Sequence, residues 1–148
     1  MYRQILVATD GSALANKAVD HGVNLAKAVG ASIIFVTVTE VWSAIEMAAE
    51  SEQGVRHPME TYEAMARNAA QIILAATEKR AKDAGVECET LHVRDSAPAE
   101  GIIATAIEKG CDLIVMASHG RRGLRRMMLG SQTAEVLAYS KVPVLVLR

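Results

Sequence analysis

Apolar runs and helix-period segments alternate from one end of the chain to the other. Gln4 to Thr9 is an apolar run with strand character. Behind it Ala15, Ala18, Val19, Gly22, Leu25, Ala26 and Val29 recur at spacings of three and four, with Asn16, Lys17, Asp20, Asn24 and Lys27 opposite. That period predicts an amphipathic helix stopped by Gly30, entered through a turn at Asp10-Gly11-Ser12 with Ser12 as a candidate N-cap. Ser32 to Val38 is a second strand. A second helix is expected from about Glu60 to Ala84, with Tyr62, Met65, Ala69, Ile72, Ile73 and Ala76 inward and Gly85 as the stop. In Val86 to Val93, Val86, Cys88 and Thr90 alternate with Glu87 and Glu89, which predicts an edge strand with one wet face.

Pro98 suits a first helical turn, so a third helix is expected from Pro98 to Lys109, capped by Ser96 or Ala97 and with Glu100 complementing its dipole. Asp112 to Ala117, a helix over Ser131 to Tyr139 and a strand over Val142 to Leu147 complete five strands and four helices. Strict β/α alternation implies an α/β fold built on a parallel sheet. Between Thr39 and Met59 the period is lost, and the segment reads as a long loop with one helical turn at Ser43 to Ala49. Loops of that length in compact domains are commonly functional.

The last strand is apolar on both faces, and a doubly wound order puts it at a sheet edge. Exposed apolar edges invite pairing, and a second copy across a two-fold axis covers this one most simply. A homodimer built on Val142, Pro143, Val144, Leu145, Val146 and Leu147 is therefore expected.

Composition narrows the classes. The 148 residues fit one domain, 51% are hydrophobic, and no run approaches the roughly 18 apolar residues of a membrane span. The chain goes straight from Met1 into a strand, without a basic region or cleavage site, so a cytoplasmic location is the default expectation. A net charge of −1 argues against bulk attraction to nucleic acid or an anionic membrane. Cys88 and Cys111 have no metal-ligand spacing and read as reduced, packed thiols.

The chemistry concentrates after the fourth strand, in Ser118-His119-Gly120-Arg121-Arg122-Gly123 through Leu129-Gly130-Ser131. A glycine turn that ends at a helix N-terminus offers main-chain N–H groups and a partial positive charge, which suits phosphate. Arg121, Arg122, Arg125 and Arg126 either converge on an anion or form a solvated face. The Walker lysine and the Gly-x-Gly-x-x-Gly fingerprint are both absent. Ligands of open parallel sheets bind beyond the carboxyl ends of the strands where the order reverses, so Thr9-Asp10-Gly11-Ser12 and Ser118 to Gly130 would share one crevice. Asp10 is there either to meet a ribose or a Mg²⁺-bound water, or to cap the helix. His119 stands in the glycine loop, while His21, His57 and His92 suggest no triad.

Across essentially its whole length the chain resembles the universal stress protein family. The resemblance rests on Ile5-Leu6-Val7-Ala8-Thr9-Asp10-Gly11-Ser12, on Ser118 to Leu124 with Leu129-Gly130-Ser131, and on Val142-Pro143-Val144-Leu145-Val146. It implies a Rossmann-like, adenine nucleotide alpha hydrolase-like fold, with an open five-stranded parallel sheet in order 3-2-1-4-5 and helices on both faces. It also implies a homodimer through the last strand and, in the ATP-binding branch, bound ATP or AMP, with Mg²⁺ accompanying ATP. That branch carries Gly-x-x-Gly, nine residues, then Gly-Ser or Gly-Thr. Gly120, the nine residues Arg121 to Leu129, and Gly130-Ser131 match, whereas Ala117 replaces the first glycine. Alanine there is costly if the backbone is left-handed and cheap if it is extended.

By the same resemblance Ala8, Thr9 and Asp10 would line the adenosine side, Val38 would meet adenine through its backbone, and Met116 would close the pocket. The phosphates would fall to Ser118, His119, Gly120, Gly130, Ser131 and Gln132, and Ala117 and Arg122 would complete the nucleotide-binding set. The reading that follows is a dimeric, nucleotide-binding stress-response regulator whose bound nucleotide orders a surface read by a protein partner. An ATPase or nucleotidyl transferase, and a nucleotide-free interaction dimer, are the alternatives.

Overall fold

The computed structural model of the chain describes residues 1–40, 49, 51–54, 56–120 and 128–148. The expected turn at Ser43 to Ala49 lies, apart from Ala49, outside the described residues, as do Arg121, Arg122, Arg125 and Arg126. Five strands, β1 (Gln4–Ala8), β2 (Ser32–Val38), β3 (Cys88–Val93), β4 (Leu113–Ala117) and β5 (Val144–Leu147), form one sheet. They alternate with helices α1 (Ala13–Val29), α2 (Pro58–Ala84), α3 (Pro98–Glu108) and α4 (Ser131–Tyr139). The order is β3-β2-β1-β4-β5 with every pairing parallel, the expected arrangement with β3 and β5 at the edges.

Strand alternation splits the interior into two layers. Ile5, Val7, Ile33, Phe35, Leu113 and Val115 pack with Val19, Val23 and Leu74 under α1 and α2. Leu6, Ile34, Val36, Ile114 and Met116 pack on the other face with Ala99, Ile102, Ala106 and Val136 of α3 and α4. The central strands β1, β2 and β4 are apolar but for Gln4, Ser32 and Thr37, because both their faces are covered.

Helix α1 departs modestly from its expected face. Val23 is buried in the core, Leu25 is half-buried and Val29 lies exposed at the last turn. Helix α2 departs more, since it begins two residues earlier than expected and turns a different face inward. Its buried residues are Ala70, Leu74, Thr77 and Ala81, whereas Met65, Ala69, Ile72 and Ala76 are exposed and Tyr62 and Ile73 are half-buried. Between Ala64 and Ala76 apolar residues recur at helical spacing along more than one line, so the spacing through Met65, Ala69, Ile72 and Ala76 competes with the one through Ala70, Leu74, Thr77 and Ala81 that the core uses.

The shorter strands β3 and β5 have local causes. Val86 is taken up at the end of α2, where its N–H donates to Ala81 O at 2.9 Å, so pairing starts at Cys88. Pro143 has no N–H to give a ladder and contributes only its carbonyl, which accepts from Ile114 N at 2.9 Å. Cys111 is buried and Cys88 half-buried, both unpaired, and burial pushes the Cys111 thiol up to about 11.

Candidate functional site

The strand order reverses between β1 and β4, and the loops leaving those strands diverge to opposite faces of the sheet. After β1, Asp10 Oδ1 accepts from Ser12 N at 2.9 Å and Thr9 Oγ1 accepts from Gly11 N at 3.1 Å, which folds a compact turn. Ser12 Oγ then accepts from Ala15 N at 3.2 Å and caps α1. The cap is Ser12, and Asp10 shapes the turn in front of it. Thr37 of β2 donates its hydroxyl to Thr9 O, which fixes the end of β1 against its neighbour.

After β4 the chain passes Ser118, His119 and Gly120 and returns at Gly130. Gly130 N donates to Ser118 O at 2.7 Å, and the Thr133 hydroxyl donates to Ala117 O at 2.9 Å, so the base of the loop is closed by two short bonds. A Cβ at Gly120 would run into Asp10 Oδ2 well inside van der Waals contact, so a side chain there requires the Asp10 carboxylate to move. A Cβ on Gly130 would lie 3.2 Å from both His119 Cα and Ser118 O. Gly120 thus lets the loop approach the Asp10 carboxylate across the crevice, and Gly130 lets the two ends of its own loop come together.

Ala117 resolves its own question. It is the last residue of β4, pairs with Leu147, and is not among the described residues with left-handed φ. In an extended strand a methyl group carries no backbone penalty.

A cavity of about 570 Å³ opens at this reversal point. Of the residues expected there, Ala8, Thr9, Asp10, Val38, Met116, Ala117, His119, Gly120, Gly130, Ser131 and Gln132 line it. Ser118 does not. It is buried behind the loop, with N donating to Leu147 O at 2.7 Å and Oγ 3.2 Å from His119 Nδ1. Arg122 lies outside the described residues.

The far wall was not anticipated. Tyr62, Ala66, Ala69, Ala70 and Ile73 of α2 close the cavity on one side, and Pro98 and Ile102 of α3 on the other. The Tyr62 hydroxyl donates to Glu40 O at 2.9 Å, which joins the start of α2 to the end of the β2 segment. Beside it Thr39 Oγ1 sits 2.7 Å from His92 Nε2. Burial, reinforced by the Arg94 and Arg67 guanidiniums, pushes His92 below its ordinary pKa.

The electrostatics differ at the two ends. Helix α4 starts at Gly130, which offers no side chain to cap it, so the first-turn N–H groups that include Ser131 and Gln132 are presented at the cavity. Together with the helix dipole they suit an anion. The opposite end is walled by Val38, Ala66, Ala69, Ala70 and Ile73, a surface for an apolar or planar group. Asp10 and Glu40 are the carboxylates on the described lining, and no group of three or more His, Cys, Asp or Glu side chains with metal-site geometry occurs among the described residues.

A doubly wound parallel sheet with a cavity at its reversal point, anion-receptive at one end and apolar at the other, is an α/β domain with a candidate ligand site. The sequence profile of the universal stress protein family matches residues 1–148, and the chain belongs to that family. It is 35% identical to universal stress protein YxiE of Bacillus subtilis over the full length of both chains. Among solved structures it is similar to MJ0577 of Methanocaldococcus jannaschii, with a TM-score of 0.77 and 29% identity over 99% of this chain and 96% of that one. It is also similar to a universal stress protein in complex with cAMP, with a TM-score of 0.69 and 27% identity over 99% of this chain and 97% of that one. No helix among the described residues is long and apolar enough to cross a membrane.

Proposed function

We propose that this universal stress protein binds an adenine nucleotide, ATP or AMP, in the cavity between β1 and β4, and acts as a dimeric regulator rather than as an enzyme. The observation that carries the reading is the uncapped N-terminus of α4, opening beside Gly120 and Gly130 at one end of a cavity whose other end is apolar. The phosphates would take the main-chain donors of Ser131 and Gln132 and the Ser131 hydroxyl, and the base would lie toward Val38 and the α2 wall. The cAMP complex of a relative at 27% identity supports a nucleotide of this class. Mg²⁺ would accompany a triphosphate, with Asp10 reaching it through water, since the described residues form no cation cage of their own.

The non-enzymatic part of the reading rests on the missing Walker lysine. The Ser118–His119 contact adds only that Ser118, which does not line the cavity, is not a nucleophile offered to a ligand there. Regulation would then work by population shift, in which the nucleotide orders the loop it touches and a protein partner reads that surface. The dimer would form through β5, an edge strand of four apolar residues that are only half-buried in the single chain.

Calorimetric titration with ATP, ADP and AMP tests the reading in wild type and in Ser131→Asp. Aspartate suits a helix N-terminus but repels phosphate, so the variant is expected to keep its stability and lose roughly tenfold or more in affinity. Absence of binding to wild type at millimolar nucleotide overturns the proposal, as does steady phosphate release from ATP for its non-enzymatic part. Light scattering on the same samples is expected to give twice the chain mass, and a monomer mass removes the dimer.

A further inference from the structure

Helix α3 begins without a cap of its own. Its N-cap residue is Ala97, which has no side chain to offer, and Ser96 Oγ, the other expected cap, is bonded to Ala97 O at 3.1 Å. The first-turn N–H of Ala99 is nevertheless satisfied, because Gln132 Oε1 accepts from it at 3.0 Å. Gln132 belongs to the first turn of α4. One residue therefore serves two helix N-termini, its side chain capping α3 and its main chain forming part of the first turn of α4 at the cavity.

Those two helix starts flank different ends of the same cavity. Gly130, Ser131 and Gln132 stand at the anion-receptive end, whereas the start of α3 flanks the Val38 end, where Pro98 and Ile102 line the cavity and a Cβ on Gly101 would lie 3.1 Å from both Val38 methyl groups. Ala99, the residue Gln132 holds, is itself buried, and the bond to its N–H is part-buried at the edge of the cavity. Losing the acceptor leaves a donor that must find another partner, and it removes the side-chain bond that ties the start of α3 to the first turn of α4.

We infer that Gln132 is a positioning residue that sets the distance between the phosphate-facing turn and the α3 wall. It thereby decides whether one ligand engages both ends at once. The inference rests on the proposed nucleotide site. A ligand that uses one end alone is indifferent to this spacing, whereas a nucleotide that spans both is sensitive to it.

The test uses Gln132→Met, which keeps length and volume but cannot accept the bond, and Gln132→Glu, which restores an acceptor for Ala99. Adenosine, inorganic phosphate and AMP are titrated into each full-length protein, and exchange of the Ala99 amide is followed without ligand. In Gln132→Met the Ala99 amide is expected to exchange faster and AMP affinity to fall about fivefold to tenfold, with adenosine and phosphate each within about twofold of wild type. Gln132→Glu is expected to restore slow exchange at Ala99 and adenosine binding equal to wild type. Equal weakening of AMP and adenosine, or unchanged AMP binding in Gln132→Met, overturns the positioning role. Wild-type protein that binds none of the three ligands overturns the nucleotide site itself, and Ala99 exchange unchanged in Gln132→Met overturns the cap.

Discussion

Helices α1 and α2 cover the same face of the sheet by opposite means. Over 17 residues α1 buries Ala15, Ala18, Val19, Gly22, Val23 and Ala26. Its backbone comes so near β1 that a Cβ on Gly22 would stand 2.7 Å from Val7 Cγ2. Over 27 residues α2 buries only Ala70, Leu74, Thr77 and Ala81, and it leaves Met65 68% and Ile72 73% exposed. The first helix is sealed onto the core, whereas the N-terminal half of the second stands off it and walls the cavity with short side chains. A cavity in a protein this small survives only where a neighbouring element is prevented from collapsing.

Breaking the tight contact should have the larger effect. Gly22→Val forces branched bulk between α1 and β1 and is expected to cost about 2 kcal/mol, measured as the shift in urea midpoint at constant slope. The equivalent insult to the loose helix should be nearly silent. Ile72→Gln replaces an exposed side chain and is expected to change stability by less than about 0.5 kcal/mol in the same experiment. A loss as large as that of Gly22→Val would show that the outer face of α2 is covered in solution.

The smallest effect concerns how α2 meets β3. His92 is held below its ordinary pKa by burial and by Arg94 and Arg67, the last of them on α2. The unfolded chain therefore takes up the imidazole proton first as pH falls. Stability from this group is complete above about pH 6.5 and declines as the pH drops through the folded-state pKa. His92→Gln is expected to flatten the pH dependence of the urea midpoint between about pH 7 and pH 5, and an unchanged slope would place the source elsewhere.

The same contrast explains what the amino-acid sequence discloses. Strands β1, β2 and β4 and helix α1 are legible because their patterning agrees with their surroundings: apolar runs buried on both faces, and one apolar stripe on one core. Helix α2 misleads because Met65, Ala69, Ile72 and Ala76 carry a regular spacing that its surroundings do not use. The near side of the cavity follows from the loops after β1 and β4, whose residues are close in sequence to recognisable turns. Its far side, formed by Tyr62, Ala66, Ile73, Pro98 and Ile102, depends on how two helices cross the sheet. The cap of α3 is hidden for a similar reason, since Gln132 lies 33 residues beyond the amide it accepts from.

The approach of Gly120 to Asp10 bears on how this protein tolerates substitution. Any side chain at position 120 must displace the Asp10 carboxylate, which also accepts from Ser12 N and so shapes the turn leading into α1. Positions 10 and 120 are therefore coupled, although they lie 110 positions apart in the sequence. A substitution at either position is felt at the other, so the entrance to α1 and the loop after β4 answer to a single carboxylate.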